Sequence, residues 1–396
     1  MIRRFVIVAA TALAATASGA QEVKSLIRKP MPMSLDQIQT LTDVIQRLAA
    51  DYVRPVAGDE MLDQTLKGML ERIDPEGGEY FTRSEYDAFK QGLGGTGLPG
   101  IGVDMHRRNG ALHLFPTEGS PAASAGIRSG DTLRSVDGTP VDELRPATVS
   151  ALLRGPAGSR VTLGVVRASR PGLLSIVAER GLVPYPTVRL TRQDGDLVVL
   201  RVPSLQQRTL QQSAQALGDE WARKPYKGIV LDLRQNSGGL LESAVGMAAI
   251  FLQPDDVVVK TTGRIAQANQ VLHATPADYL RGNEADPLAA LPPALRRLPL
   301  VVLVDEVTAS GAEIITGALH DHARAVVVGH ATYGRGSVQT VMPLSSGGAM
   351  KITTAFYTTP SGAPIQGTGL SPDVAVDGDD EGKALQAALG ALRKRL

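Results

Sequence analysis

The chain has 396 residues, a length that predicts two or three domains. Apolar residues make up 43% of it and charged residues 20%, as in globular proteins with a buried core. The formal net charge of +1 provides neither the basic surface of a nucleic-acid-binding protein nor a polybasic membrane patch, so nucleic acid is excluded as a partner. Cysteine is absent from the sequence, which excludes disulfides.

The first twenty residues differ from the rest of the chain. Arg3 and Arg4 precede an apolar run over residues 5–15, and small residues follow at 18–20. This pattern predicts a signal peptide over residues 1–20 that is cleaved before Gln21, and therefore a periplasmic or secreted protein. A membrane anchor is the alternative, but the run is shorter than the roughly 20 residues that a spanning helix needs.

The next segment, residues 21–95, is predicted to be mainly helical. Apolar residues recur there at helical spacing, as in Leu41, Val44, Ile45, Leu48 and Tyr52. A glycine-rich stretch over 92–102 follows and contains a Gly-x-Gly-x-x-Gly pattern at 95–100. Because a helical region precedes that pattern, where a dinucleotide site requires a strand, nucleotide binding is disfavoured.

The remainder of the chain changes from a strand-rich to an alternating pattern. Residues 96–183 read as short strands separated by turns, with a helix near 147–153. Strands and helices then alternate over residues 184–379, which predicts an α/β core, and a helix is expected over 380–396. The core's predicted elements are strands at 229–233, 300–304 and 325–329, and helices at 240–252 and 310–322.

Several motifs occur in order along the chain. They are Gly119-Ser120-Pro121-Ala122, Gly130-Asp131, Val136-Asp137-Gly138, Asn236-Ser237-Gly238-Gly239, Thr308-Ala309-Ser310-Gly311, Gly334-Arg335-Gly336-Ser337-Val338-Gln339 and Thr359-Pro360-Ser361-Gly362. Together they resemble the C-terminal processing, or tail-specific, serine peptidases. The resemblance implies a PDZ domain over residues 96–183 and an α/β peptidase core of the crotonase-like (ClpP/crotonase) type.

By this resemblance Ser310 is the nucleophile that attacks the scissile carbonyl. It lies between a buried strand and a helix, where free backbone N–H groups stabilise developing negative charge. The amide of Gly311, with that of Gly238 or Gly239, would form the oxyanion hole. The alternatives are a helix N-cap for Ser310 and a tight turn for the glycine pair.

The loop Gly100-Ile101-Gly102-Val103 fits the place where PDZ domains hold a peptide's C-terminal carboxylate on backbone amides, the alternative being a hairpin turn. The expected partners are therefore proteins or peptides with exposed C-termini. A homo-oligomer built through the terminal helical segments, or an adaptor protein, is a further expectation.

The sequence departs from the family at Arg335, where the family has the lysine that serves as general base. Burial can neutralise a lysine, whereas arginine keeps its proton in any protein site. The resemblance also places Asp321 and Gln339 near the site, with Gln339 hydrogen-bonding the Arg335 guanidinium. His320, His322 and Lys351 are the candidate substitute bases, although Lys351 is expected to be structural.

Two hypotheses remain open from the sequence. The chain is either a serine endopeptidase that recognises protein tails and cleaves with Ser310, or an impaired pseudopeptidase that binds tails through its PDZ domain. A crotonase acting on coenzyme A thioesters is disfavoured, because the signal peptide and PDZ motifs have no role in that chemistry. No cofactor is expected, and the histidines lack metal-ligand spacing, so no metal is expected either.

Overall fold

The computed structural model describes residues 33–91, 99–108, 111–117, 119–142, 144, 146–167, 170–183, 188–282, 284–378 and 380–396. The predicted signal peptide lies outside the described residues, as do the first two glycines of the Gly-x-Gly-x-x-Gly pattern.

The N-terminal region consists of helices and one short strand. The elements are α1 (Leu35–Asp51), α2 (Gly58–Ile73), β1 (Glu79–Phe81) and α3 (Arg83–Gln91). Ser34 caps α1 in a reciprocal capping box with Gln37. Of the apolar residues that predicted a helix here, Ile45 is half-buried and the others are exposed, for example Val44 and Tyr52 at 49% and 48%. The strand β1 is an exception to the predicted helical region, because it pairs with the distant strand that contains Lys351.

The strand-rich domain follows as an antiparallel sheet with two short helices. Its elements are β2 (Pro99–Gly100), β3 (Val103–Arg108), β4 (Ala111–Pro116), α4 (Pro121–Ser124), β5 (Asp131–Val136), β6 (Thr139–Pro140), α5 (Pro146–Leu153), β7 (Arg160–Arg167), β8 (Arg170–Glu179) and β9 (Gly181–Leu182). The sheet order is β3-β4-β5-β7-β8, with β6 on β5 and with β2 paired to β9. The domain therefore has β3 at one edge of its sheet.

The α/β core is built on a six-stranded sheet. Its elements begin with β10 (Arg189–Gln193), β11 (Leu197–Arg201), α6 (Thr209–Arg223), β12 (Gly228–Asp232) and α7 (Leu241–Ala249). They continue, after a second sheet, with β15 (Leu300–Val304), α9 (Gly311–Asp321), β16 (Val326–Gly329), β19 (Val374–Ala375) and α10 (Glu381–Arg393). The order is β10-β11-β12-β15-β16-β19, parallel except for β10. Both faces of β12 and β15 are buried, which explains their unbroken apolar sequences.

Helices cover both faces of this sheet. Leu217 on α6, Val245 on α7 and Ile315 on α9 pack in one core cluster. On the opposite face, Leu389 and Leu392 of α10 pack in a second cluster with the sheet. The apolar side chains of the C-terminal helix thus pack against the chain's own core, and the predicted homo-oligomer stays a prediction.

A second, antiparallel sheet lies between the parallel strands in sequence. It contains β13 (Val257–Gly263), β14 (Gln270–His273), β17 (Ser337–Pro343) and β18 (Ala349–Thr358), with a short helix α8 (Pro276–Tyr279) after β14. Its order is β1-β18-β13-β14, with β17 also on β18. This sheet brings the segment before β17, which contains Arg335, next to the end of β18.

Within the part of the chain that the structure describes, none of the helices combines the length and the apolar character required to cross a membrane.

Candidate active site

Ser310 lies in a strained turn between β15 and α9. Its backbone has φ 55° and ψ −121°, a conformation that non-glycine residues adopt rarely and at an energetic cost. The turn is fixed on both sides, because Ala309 N donates to Asn236 O at 2.9 Å and Tyr333 N donates to Thr308 O at 2.9 Å. A strained serine at the start of a helix, held by neighbouring loops, is an arrangement suited to a nucleophile.

A buried carboxylate, Glu313, connects this turn to the loop that contains Arg335. One of its oxygens accepts hydrogen bonds from Ser310 N (2.8 Å) and Arg335 N (2.9 Å). The other accepts from Thr332 Oγ1 (2.5 Å) and Gly334 N (2.8 Å). Burial raises the pKa of Glu313, although these four hydrogen bonds act in the opposite direction. The carboxylate therefore holds the nucleophile and residue 335 in a fixed relation.

The amides predicted for the oxyanion hole are not equivalent. Gly238 N donates to Asn236 Oδ1 at 2.8 Å, so it is already used within its own loop. Gly239 N and Gly311 N, in contrast, donate to no acceptor among the hydrogen bonds of the described residues. A Cβ built on Gly311 would lie 3.8 Å from Gly239 N, so the two free amides are close together. This geometry selects Gly239, together with Gly311, from the predicted set.

The loop that contains these glycines is held by a network of buried polar groups. Arg234 forms a bidentate pair with Asp232, with Nε–Oδ1 and Nη2–Oδ2 distances of 2.9 and 2.7 Å. Asn236 is completely buried and donates from Nδ2 to Val202 O at 2.8 Å. Gln235 has a positive φ of 59°, and its backbone N donates to both oxygens of Asp305. The site is therefore preorganised before any substrate binds.

The backbone of Arg335 lies beside the nucleophile turn, since its N–H and that of Ser310 donate to the same oxygen of Glu313. Its backbone carbonyl accepts a hydrogen bond from the Tyr357 hydroxyl, and its guanidinium carbon lies 5.2 Å from the centre of the Tyr333 ring. Burial raises the pKa of Tyr357 far above its ordinary value, against the opposing effects of the nearby Ser310 side chain and the Arg335 charge.

The structure separates the two other predicted site residues. Gln339 is on β17, where its Nε2 donates to Ser337 Oγ at 3.2 Å, and its predicted hydrogen bond to Arg335 stays a prediction. Asp321 ends the helix that Ser310 begins, about 16 Å away at 1.5 Å per residue. There it accepts from Ser361 N at 2.8 Å, and its support of the catalytic pair stays a prediction.

The three candidate substitute bases lie away from the nucleophile. His320 and His322 are at the same distant end of α9, where they contact Asp373 Oδ1 (3.1 Å) and Val257 O (2.8 Å). Lys351 forms an ion pair with Glu79 across β1 and β18, in agreement with its expected structural role. It lies six residues before Tyr357 in β18, a separation of about 20 Å in an extended strand.

The predicted peptide-binding loop lines a cavity of about 170 Å³ in the strand-rich domain. The lining residues are Gly100, Ile101, Gly102, Val103, Met105, Ser150, Leu153, Arg154 and Val183. Gly102 has φ +70°, and a Cβ there would lie 2.5 Å from Ser120 Cβ, so glycine is required. The amides of Ile101 and Gly102 donate to no acceptor within the hydrogen bonds described for this domain. Two such amides beside this cavity can hold a carboxylate.

Within the described ranges, no group of three or more histidine, aspartate or glutamate side chains comes together in a way that could hold a metal ion.

Glu313 and Tyr357 belong to the site but were not predicted from the sequence motifs. Glu313 had a detectable signal, since Ser310-Gly311-Ala312-Glu313 has the spacing of a capping box. Tyr357 had no local signal in the sequence, because it reaches the Arg335 carbonyl only through the pairing of β17 with β18.

Comparisons with known proteins agree with this description. The family model for peptidase family S41 matches residues 196–376, and a PDZ-domain model matches residues 116–167. A carboxy-terminal-processing protease of Bartonella bacilliformis is 32% identical over 345 residues, or 86% of this chain and 75% of that protein. The carboxy-terminal processing protease CtpA of Bacillus subtilis is 28% identical over 344 residues, which cover 87% of this chain and 70% of that protein.

A solved structure is similar over a comparable length. The photosystem II D1 C-terminal processing protease has a TM-score of 0.67 and 27% identity, covering 88% of this chain and 90% of that chain. The resemblance inferred from the motifs is confirmed. The chain belongs to the carboxy-terminal processing protease family, within peptidase family S41.

Proposed function

We propose that this protein captures the C-terminal tails of other proteins in its PDZ groove and that Arg335 leaves Ser310 without a general base. The natural chain would then cleave peptide bonds far more slowly than a lysine-bearing counterpart. The observation that carries the proposal is the position of Arg335, whose loop is joined to the nucleophile through Glu313 while every substitute base lies far away.

Tail recognition is supported by the geometry of the PDZ domain. The strand β3 lies at the edge of its sheet, so an extended peptide can add beside it. The peptide's terminal carboxylate would bind the amides of Ile101 and Gly102. Met105 and Leu153 line the adjacent cavity and favour an apolar side chain at the last position of the tail.

The remaining chemistry of acyl transfer is retained. The free amides of Gly239 and Gly311 are suited to stabilise the oxyanion of a tetrahedral intermediate. The guanidinium of Arg335 keeps its proton at any relevant pH and cannot accept one from Ser310. A serine hydroxyl without an adjacent base is a weak nucleophile, so deprotonation is the missing step.

Glu313 does not replace the lysine as a base. Each of its carboxylate oxygens already accepts two hydrogen bonds, and one of those donors is the backbone N–H of Ser310 itself. A carboxylate committed to four donors fixes the geometry of the turn and offers no free lone pair directed at the Ser310 hydroxyl.

Tail capture is tested by the binding of fluorescent peptides to the full protein. A peptide with an apolar C-terminal residue should bind when its carboxylate is free, and amidation of that carboxylate should remove most of the binding. Arg192→Ala is a suitable control variant, because Arg192 pairs with Glu220 in the core. Equal affinity for the free and amidated peptides would contradict the proposed mode of recognition.

The second candidate, a pure tail-binding adaptor, differs only in the chemistry of the natural chain. It is favoured by the position of Arg335 and by the distance of His320, His322 and Lys351 from Ser310. Cleavage of an unstructured protein with an apolar tail separates the two candidates. Slow cutting that Ser310→Ala abolishes indicates a residual peptidase, and the absence of cutting by the natural chain indicates an adaptor.

Two further elements of the proposal come from the sequence. We propose that residues 1–20 are removed on export, which would place the mature protein in the periplasm or outside the cell. The mass of the protein recovered from its native compartment tests this directly, with Gln21 expected as the first residue. The crotonase-like type of the core stays a prediction from the family resemblance.

A further inference from the structure

The α/β core has a large cavity beside the oxyanion loop. It has a volume of about 910 Å³ and lies between α6, the start of α7 and the segment that follows α8. Leu240 is part of its wall and directly follows Gly239, one of the two glycines whose amides are free next to Ser310. The wall of this α6–α7 cavity thus begins one residue from the oxyanion amides.

The wall of the α6–α7 cavity combines an apolar surface with an excess of negative charge. Leu210, Trp221 and Leu291 are among its apolar residues. Its charged residues are four carboxylates and two arginines, namely Asp219, Glu242, Glu284, Asp286, Arg208 and Arg281. Charge complementarity therefore favours a cation, and the apolar surface favours a cation that is carried on an aliphatic stem.

Two buried acceptors in this wall lack donors. Glu242 is 9% exposed, and its Oε2 accepts from Arg281 Nη2 at 3.1 Å, but its Oε1 has no hydrogen-bond partner among the described residues. The next residue, Ser243, is 7% exposed, and within the same part of the chain its Oγ has no partner. A purely structural role in pairing Arg281 accounts for Glu242 Oε2 and not for Oε1. Because buried acceptors are normally satisfied, these two indicate a ligand that donates hydrogen bonds.

We propose that the α6–α7 cavity binds a basic side chain, lysine or arginine, of the polypeptide that the PDZ groove captures. Its ammonium or guanidinium group donates to Glu242 Oε1 and Ser243 Oγ, and its aliphatic stem lies against the apolar part of the wall. The basic residue lies within a few residues of the bond that faces Ser310, because Leu240 joins the cavity to the oxyanion loop. The inference rests on the proposed function only for the identity of the polypeptide.

The first test is a binding measurement that needs no catalysis. Trp221 is the chain's single tryptophan and lines the cavity, so its fluorescence reports occupancy. The probes are short peptides, acetylated and amidated so that they offer no terminal carboxylate to the PDZ domain, with lysine, norleucine or glutamate at the central position. The lysine peptide should bind the natural chain about tenfold to a hundredfold more tightly than the norleucine peptide, as expected for a hydrogen bond to a charged group. Equal affinities, tighter binding of the glutamate peptide, or no saturable change with the lysine peptide would overturn the proposal.

Variants assign this preference to the two unsatisfied acceptors. Glu242→Gln keeps the shape of the side chain and removes its charge, so it should abolish the preference for lysine over norleucine. Ser243→Ala leaves the ion pair of Glu242 with Arg281 in place and should weaken binding of the lysine peptide alone. Glu60→Gln is the control, since it removes the same charge from an exposed position on α2. Retention of the full preference in both Glu242→Gln and Ser243→Ala would contradict the assignment.

The second test is kinetic and uses the Arg335→Lys chain, so it depends on the proposed function. The bonds that this chain cuts in an unstructured protein should lie near lysine or arginine, and adding Glu242→Gln should remove that preference. Cleavage without a preference for basic residues would overturn this inference and leave the proposed function standing. If Arg335→Lys is inactive, the proposed function fails while the fluorescence titration still decides the inference.

Discussion

The buried carboxylate of Glu313 makes the substitution Glu313→Gln a quantitative test of how the site is held together. Glutamine keeps one carbonyl oxygen and replaces the other with an NH₂ group. Two of the four donors around Glu313 then face another donor, and each buried donor left without an acceptor costs about 1–3 kcal/mol. The gross loss is therefore about 2–6 kcal/mol.

Part of this loss is offset by the removal of a buried charge. Burial raises the pKa of Glu313, so ionisation of the natural side chain opposes folding. The neutral amide of glutamine avoids this cost of burying a charge. We expect a net destabilisation near the lower end, about 2–3 kcal/mol. Urea unfolding followed by the fluorescence of Trp221, the chain's single tryptophan, measures it, with the exposed Glu284→Gln as control.

The same substitution changes the dependence of stability on pH. Folding raises the pKa of Glu313. Its contribution to the free energy of unfolding is therefore fully present below pH 4.5, its ordinary pKa, and declines as the pH rises through the folded pKa. Glu313→Gln should lack this decline. A variant that matches the natural chain in both unfolding free energy and pH dependence would refute the account of Glu313 as the brace of the nucleophile turn.

Two other predictions concern the oxyanion loop and the far end of α9. Gly238→Ala would place a Cβ 2.6 Å from Ser310 Cβ, so it should abolish peptide cleavage by the Arg335→Lys chain. Gly195→Ala is the control: Gly195 also has a positive φ, but a Cβ there would meet open space, so cleavage should be retained. Similar cleavage rates for the two variants would contradict the geometry of the oxyanion loop. Burial alone would raise the pKa of Asp321, but hydrogen bonds from Thr359 and Ser361 outweigh it and hold the pKa below the ordinary value of 3.8. The stabilisation that ionised Asp321 contributes is therefore fully present above pH 3.8 and is lost as the pH falls through its folded pKa. Asp321→Asn should be less stable at pH 7 than the natural chain, and its free energy of unfolding should change less with pH in acid. Acid unfolding curves of equal slope for the two chains would contradict this prediction.

The elements that sequence reasoning predicted well are those with strong local patterns. The unbroken apolar runs of β12 and β15 and the glycine and serine motifs that follow them locate the nucleophile and the oxyanion loop. Motif order was enough to identify the family, because each motif lies in a turn with special backbone requirements. Gly102 is an example, since it has a positive φ and a Cβ there would lie too close to Ser120 Cβ.

The elements that sequence reasoning missed depend on long-range pairing. The strand β1 follows two helices and forms only because its backbone pairs with residues 349–351 of β18. The choice between Gly238 and Gly239 requires knowing that Asn236 already uses one amide. Asp321 shares a helix with Ser310 but lies at its opposite end, so its support of the site stays a prediction.

The central claim is that the site is complete except for a base, and the rate of peptide cleavage by Arg335→Lys relative to the natural chain tests it most directly. A positioned general base contributes about 10²- to 10⁴-fold, so the variant should cut a tail-bearing protein faster by a factor in that range. Ser310→Ala in the same background should return the rate to zero. Equal rates for Arg335→Lys and the natural chain, whether fast or absent, would contradict the claim that the missing lysine is what limits this protein.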